Sequence, residues 1–522
     1  MNGNVNVYTM DYRGTGRSTL LDCVAAQGTT SGSPSAKDLS TDEVAACAKN
    51  LEAKFGQDLS AFSITSAATD ISAFISTYQS GSKTFVYGMS YSSALVERLM
   101  HLDTKGIVGY ILDGVSTTSG GDVKDAMYMS NWDVNFGEVG DYFLSLCSQE
   151  PRCASRFAGS SAQATLKNLL KSQTATCSGT LRDEDEMRSI LGQLLLRPDT
   201  RSLIPAVLYR LMRCSYSAIS YQIRKGLKKL ARASEQDVYM STLLTNLIVF
   251  SEMWESPAPT LTTLTERFTN ASMTTGQIAT MLPLYCTFTK DNSSACSSYK
   301  TVANYSAAPI VYKKDKYWNV AAKIPPQASV LLMSGTLDAQ TPHKYAERLL
   351  VALDGNNKEL ATFPFATHVT LLSTAIPNAA AGTPTCGMSV LASYVLNDGG
   401  LSKLNKTCLS SMQLDWEPLK EIVEAVFMVT EAYDGIYDWT NSYKYPEKYV
   451  TAFVVVSVCT AALVLALVFL CVRHRKRKVA ALASASKTTE SEQPVTDIDD
   501  NAGITSPSVA SGQYVAANEA RV

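Results

Sequence analysis

Ser90 stands in "KTFVYGMSYSSALVERL", residues 83–99, between a β-branched, aromatic run and a run with apolar residues at helical spacing. A hydroxyl at the tip of a strand-to-helix turn is a candidate nucleophile. It needs a base to remove its proton and an acid to hold that base. The chain has 4 histidines. His474 falls in a basic run, His101 on the helix that follows the serine, and His343 at the start of the helix after "DAQTP". His368 alone, in "FPFATHVT", sits on a loop just beyond a late strand. Asp338 ends the strand-like "VLLMSGTL", 30 residues before His368. Serine, aspartate and histidine in this order, each after a strand, match a nucleophile, acid and base on a doubly wound parallel sheet. Taken singly, each has an ordinary reading as a corner serine, a turn aspartate or a structural loop histidine. Asp113, at the end of "GIVGYILDGV", is a competing acid.

The elements that must position these residues follow from periodicity. Residues 5–10 read as a strand ending in a Gly-rich turn, and residues 24–60 as a loop pinned by Cys23 and Cys47. Helical spacing covers 64–78 and 92–102, with strands at 84–87 and 106–115. Continuous apolar strands alternating with helices argue for a parallel α/β sheet. From 121 to 324 the pattern turns helical, as in "TLKNLLKS" and "SLIPAVLYRLMR", and reads as an inserted cap. The strand signal returns at "QASVLLMSG", followed by a helix in "HKYAERLLVAL", a strand in "KELATFPFATH" and a helix in "GMSVLASYVLNDG". The expected layout is therefore a sheet over 1–120 and 325–410, the cap at 121–324, and a stalk at 411–449.

A net charge of −2 with 18% charged residues supplies no basic field for nucleic acid, and no cofactor or metal is expected. Residues 450–472 carry no charge and as a helix would extend roughly 35 Å, enough to cross a bilayer. Tyr443, Tyr445 and Tyr449 precede this span and "RHRKRK" follows it, which places the C-terminal tail, 473–522, in the cytosol. That tail is too poor in apolar residues to fold. Ten of the 12 cysteines precede the span and none lies in the tail, as suits an oxidising lumen or cell exterior. Sequons at Asn270, Asn292, Asn304 and Asn405 fall on the same side. The expected localisation is a single-pass membrane protein with its N-terminal domain extracellular or lumenal. No signal peptide opens the chain, so the natural start is expected upstream.

The segments "MDYRGTGRS", "VYGMSYSS", "ILDGV", "VLLMSGTLDAQTP" and "TCGMSVLASYVLNDGGLSKLNKTC" occur in the order found in secreted α/β-hydrolase-fold peptidases. The chain resembles the tripeptidyl aminopeptidase and proline iminopeptidase group over most of 5–120 and 325–410. The resemblance is weak in the cap and absent from 411 onward. It implies an α/β-hydrolase fold with Ser90 as nucleophile, Asp338 as acid and His368 as base. It also implies the backbone N–H of Tyr91 as an oxyanion donor and a Cys386–Cys408 disulfide. Two departures stand out. The family's Gly-x-Ser-x-Gly elbow here ends in Ser92, and its Gly-Gly-Pro-Gly oxyanion loop would lie before Met1. The chain as written is therefore expected to lack full activity.

The leading expectation is a membrane-anchored serine peptidase that cleaves residues from peptide N-termini. A carboxylesterase or lipase on the same fold, and a non-catalytic adhesion protein comparable in plan to neuroligins, are the alternatives; retention of all three triad residues favours an enzyme. Glu252 and Glu255, flanking Trp254 in "VFSEMWES", are candidates for holding a substrate amine but read better as exposed helix residues.

Overall fold

The computed structural model describes residues 3–23, 38–157, 159–171, 184–213, 225–226, 240–376, 380 and 382–435. The chain divides into two units, Met1–Tyr437 and Asp438–Val522, and every described residue belongs to the first. The span at 450–472, its tyrosine belt, the basic run, the tail, Cys177 and Cys214 lie outside the described residues. Among those described, no helix is long and apolar enough to cross a membrane.

Four strands, β1 (Thr84–Met89), β2 (Ile107–Asp113), β3 (Ser329–Gly335) and β4 (Lys358–Phe363), form one parallel sheet in the order β1-β2-β3-β4. The helices that frame the sheet and build the insertion include α1 (Ile64–Tyr78), α2 (Tyr91–Met100), α3 (Trp132–Gln149), α4 (Leu203–Arg213), α5 (Thr242–Glu252), α6 (His343–Ala352) and α7 (Cys386–Leu396). Alternation along the strands sorts their side chains to two faces. Tyr110, Leu112, Val330 and Leu332 join Leu95 and Leu99 of α2 and Leu349 of α6 in one core. Ile111, Leu331, Met333 and Phe363 meet Val390 and Tyr394 of α7 in the other. β3 is buried along its whole length, as expected of a strand covered on both faces. Ser63 caps α1 and Thr385 caps α7, each accepting from a backbone N–H of the first turn.

The strand expected at 5–10 does not form. A strand requires a ladder partner, and β1 pairs only with β2 among the described residues. Val7 is instead 81% exposed and Tyr8 58%. Part of the loop expected at 24–60 is a helix, Val44–Phe55, which buries Val44, Cys47, Ala48 and Leu51 on one face.

The described part of 121–324 contains no strand. Its α5 half packs into the first core through Leu243, Leu247 and Phe250. Its α3 and α4 half makes a core of its own, with Phe136, Phe143, Leu144, Ile204 and Leu208. Two further groups enter that core: Leu337 and Ala339, which flank Asp338, and Trp416, Val423 and Phe427 from beyond residue 411. The first part of the segment read as a stalk thus packs against the insertion. Disulfides join Cys23–Cys47, Cys147–Cys153, Cys286–Cys296 and Cys386–Cys408. The asparagines of all four sequons are exposed.

Candidate active site

The C-terminal ends of four parallel strands meet at one rim, the usual location of a site in an open α/β sheet. Ser90 follows β1 with φ 54° and ψ −128°, a backbone conformation that non-glycine residues rarely adopt. Its N–H donates to Asp113 O (2.9 Å), and Ser93 N–H returns the chain to Ser90 O (2.9 Å). Gly88 is required for this turn: a Cβ there would stand 2.3 Å from Ser92 O. Ser92, where the second glycine was expected, hydrogen-bonds the Tyr12 hydroxyl at 2.7 Å. That contact joins the Asp-Tyr-Arg-Gly turn to the elbow, and Arg13 pins the same turn to Asp70 of α1. Tyr91 opens α2, and among the described residues no backbone hydrogen bond occupies its N–H.

Asp338 is fully buried just beyond β3. One carboxylate oxygen accepts the N–H groups of Gln340 (3.0 Å) and Thr341 (2.9 Å). The other accepts the Thr341 hydroxyl (2.8 Å) and lies 2.9 Å from His368 Nδ1. This contact assigns the proton to Nδ1 and leaves Nε2 as the basic nitrogen. Burial depresses the imidazole pKa, but the charge and hydrogen bond of Asp338, with the charge of Asp113, outweigh burial and raise it above 6.5.

The loop carrying His368 is held along its length. Phe365 N–H donates to Thr336 Oγ1 (2.8 Å), and Leu337 N–H donates to Ala366 O (3.0 Å), joining the His368 loop to the Asp338 loop. Phe365 and Val369 both have positive φ, at 58° and 60°. Asp113 fixes the far side: its carboxylate accepts Thr370 N–H (2.8 Å), Thr370 Oγ1 (2.9 Å), Leu371 N–H (2.9 Å) and Tyr87 Oη (2.8 Å). It therefore caps the short helix Thr370–Ser373 and does not contact the imidazole as its acid. Burial is the main cause raising its pKa, and the hydrogen bonds offset that only in part. Gly114 gives the ring room, since a Cβ there would come within 3.0 Å of His368 Cε1.

The structure thus brings Asp338 and His368 into direct contact beyond β3 and β4 and sets Ser90 at the end of β1, across β2 from them, beside Asp113 and Gly114. The Ser90 hydroxyl itself forms no hydrogen bond to the ring. His101 stacks on Tyr317 and hydrogen-bonds Val320 O (3.0 Å), away from this rim. Glu252 and Glu255 are not exposed helix residues. Arg98 and the Tyr312 hydroxyl, each at 2.8 Å, hold Glu252 (2% exposed), and Arg267 and Ser130 hold Glu255. Neither is free to receive a substrate amine. Among the described residues, no group of acidic, His or Cys side chains could hold a metal ion. No protein-family model matches the chain, and no curated protein matches it.

Proposed function

We propose that the protein is a membrane-anchored, extracytoplasmic serine hydrolase of the α/β-hydrolase type that releases residues from peptide N-termini. The observation that carries this reading is the His368–Asp338 pair and a strained serine turn, all at the C-terminal edge of one parallel sheet. Four disulfides support an oxidising compartment.

In this reading His368 Nε2 takes the proton of Ser90 Oγ as that oxygen bonds to the scissile carbonyl carbon. The Tyr91 N–H receives the oxyanion. The imidazolium then gives its proton to the departing amine as the C–N bond breaks, leaving an acyl-enzyme. Water, deprotonated by the same nitrogen, releases the acid and restores Ser90. The serine–imidazole hydrogen bond is of the kind that tightens when substrate binds. The insertion, built against the Asp338 loop, would limit entry to short peptides.

A fluorophosphonate probe tests the mechanism. The complete gene product should be labelled, and Ser90→Ala should lose the label; an equally labelled alanine variant removes Ser90 as nucleophile. A digest of a peptide library alongside simple esters tests the substrate class. Turnover of esters with no peptide cleaved would replace the peptidase reading with an esterase.

A further inference from the structure

We infer that Arg201, on the helical insertion, is a positioning residue for His368, gripping the base loop through the Phe365 carbonyl. The inference deepens the hydrolase reading and rests on it. Arg201 ends the short helix Pro198–Arg201 and is 6% exposed. Its guanidinium donates to Phe365 O, on the segment between β4 and His368. Its Nε is buried without a partner, and no carboxylate lies within ion-pair distance of it among the described residues. The charge acting on it is that of Asp415, and burial is the main cause bringing its pKa down to about 10.

A buried cation whose nearest counter-charge, Asp415, acts from beyond ion-pair distance is costly, and an apolar residue of similar length would be tolerated there at least as well. Stability therefore does not account for Arg201. Its one described hydrogen bond falls where the base loop turns through a positive φ at Phe365. From that point three residues lead to His368, and Asp113 anchors the two that follow Val369. The loop is thus held at one end by the sheet and at the other both by the Asp338 loop, through Thr336 Oγ1 and Leu337 N–H, and by the insertion, through Arg201. The insertion also buries Leu337 and Ala339 on either side of Asp338. Acid and base are consequently seated against the same helical layer, and Arg201 is its polar contact with the base loop. Releasing the Phe365 carbonyl should let the imidazole drift from Asp338. Drift on the order of 1 Å costs about 100-fold in a positioned reaction, and a partial release correspondingly less.

The test uses Arg201→Met and Arg201→Lys in the complete protein. It reads fluorophosphonate labelling against pH, thermal midpoint, and the titration of His368 by imidazole NMR, practical with 4 histidines. The charged groups facing the ring are Asp338 and Asp113, and both stay in place in these variants. Arg201→Met should melt at or above the wild-type temperature, label about 10-fold more slowly, and show His368 titrating at lower pH as the Asp338 contact loosens. Arg201→Lys, which keeps one donor but not the planar fork, should fall between the two. Wild-type labelling and an unmoved His368 titration in Arg201→Met would overturn the inference. Should that variant not fold, the same result in Arg201→Lys would overturn it. The NMR readout separates this from the hydrolase reading. A shifted His368 in a protein whose wild type never labels would keep Arg201 in its role and refute the hydrolase.

Discussion

Two buried aspartates lie near the imidazole, and replacing each by asparagine should have opposite consequences. In Asp338→Asn the amide orientation is dictated by its surroundings. The oxygen must occupy the position that accepts Gln340 and Thr341 N–H, so the NH₂ falls where the other oxygen meets Thr341 Oγ1 and His368 Nδ1. The nearer contact to Nδ1, 2.9 Å against 3.1 Å for the retained oxygen, then becomes an amide donor, so the ring proton moves to Nε2 and the base presents a donor to Ser90. Labelling should drop about 10³–10⁴-fold, as expected for the wrong tautomer. Stability should change by only about 1 kcal/mol, because the Thr341 hydroxyl can turn and every polar group keeps a partner. Asp113→Asn has no such solution. Both oxygens face backbone donors, Thr370 N–H and Leu371 N–H, so either orientation opposes two N–H groups in a buried site. The cost should be about 2–4 kcal/mol of folding stability, with a far smaller fall in labelling than for Asp338→Asn. Urea midpoints and phosphonate labelling rates of the two variants decide the matter. Near-normal labelling in Asp338→Asn, with loss in a folded Asp113→Asn, would refute the assignment of Asp338 as the acid.

Other outcomes rest on the same contacts. Labelling of the wild type should rise with pH through a midpoint above about 6.5, since the base acts when neutral and Asp338 raises its pKa; a midpoint well below that value counts against His368. Glu97, buried on α2 with Thr117 donating to it at 2.9 Å, has its pKa pushed by burial from 4.5 to about 7. The folded form therefore holds that proton more tightly than the unfolded chain, and stability falls as pH rises from 4.5 to 7. Glu97→Gln removes that loss, so it should gain up to about 3 kcal/mol near pH 8 and nothing near pH 4, read as urea midpoints. A gain equal at both pH values would show that ionisation is not its source. Gly335→Ala would place a Cβ 2.2 Å from Ala366 O, pushing acid and base loops apart. It should cost about 1–3 kcal/mol and slow labelling as well, whereas an unaffected labelling rate would mean the loops adjust independently.

How much of the molecule is legible in the chain depends on the range of the interactions involved. Local periodicity makes α1, α2, α6, α7 and the four strands readable, because each exposes its burial pattern within a few residues. The order Ser90, Asp338, His368 is likewise readable, since each follows a recognisable strand. The apolar stretch at 5–10 misleads for the complementary reason: strand propensity yields a strand only where a neighbour supplies a ladder. Asp113 stays a competing acid until its four hydrogen bonds place it under the Thr370 turn. Glu252 and Glu255 look like surface charges until Arg98 and Arg267 arrive from elsewhere in the chain. Arg201 carries no signal at all, because its one hydrogen-bond partner among the described residues is a carbonyl 164 positions away.

What the sequence determined by itself was the set of candidate side chains, Ser90, Asp338 and His368, and the α/β rhythm that carries them, both written in neighbouring residues. Which aspartate meets the imidazole, which carboxylates are spent in ion pairs, and what grips the base loop were decided only in three dimensions. Each of these depends on the competition among distant donors for a few buried acceptors, and that competition is resolved by packing rather than by spacing along the chain.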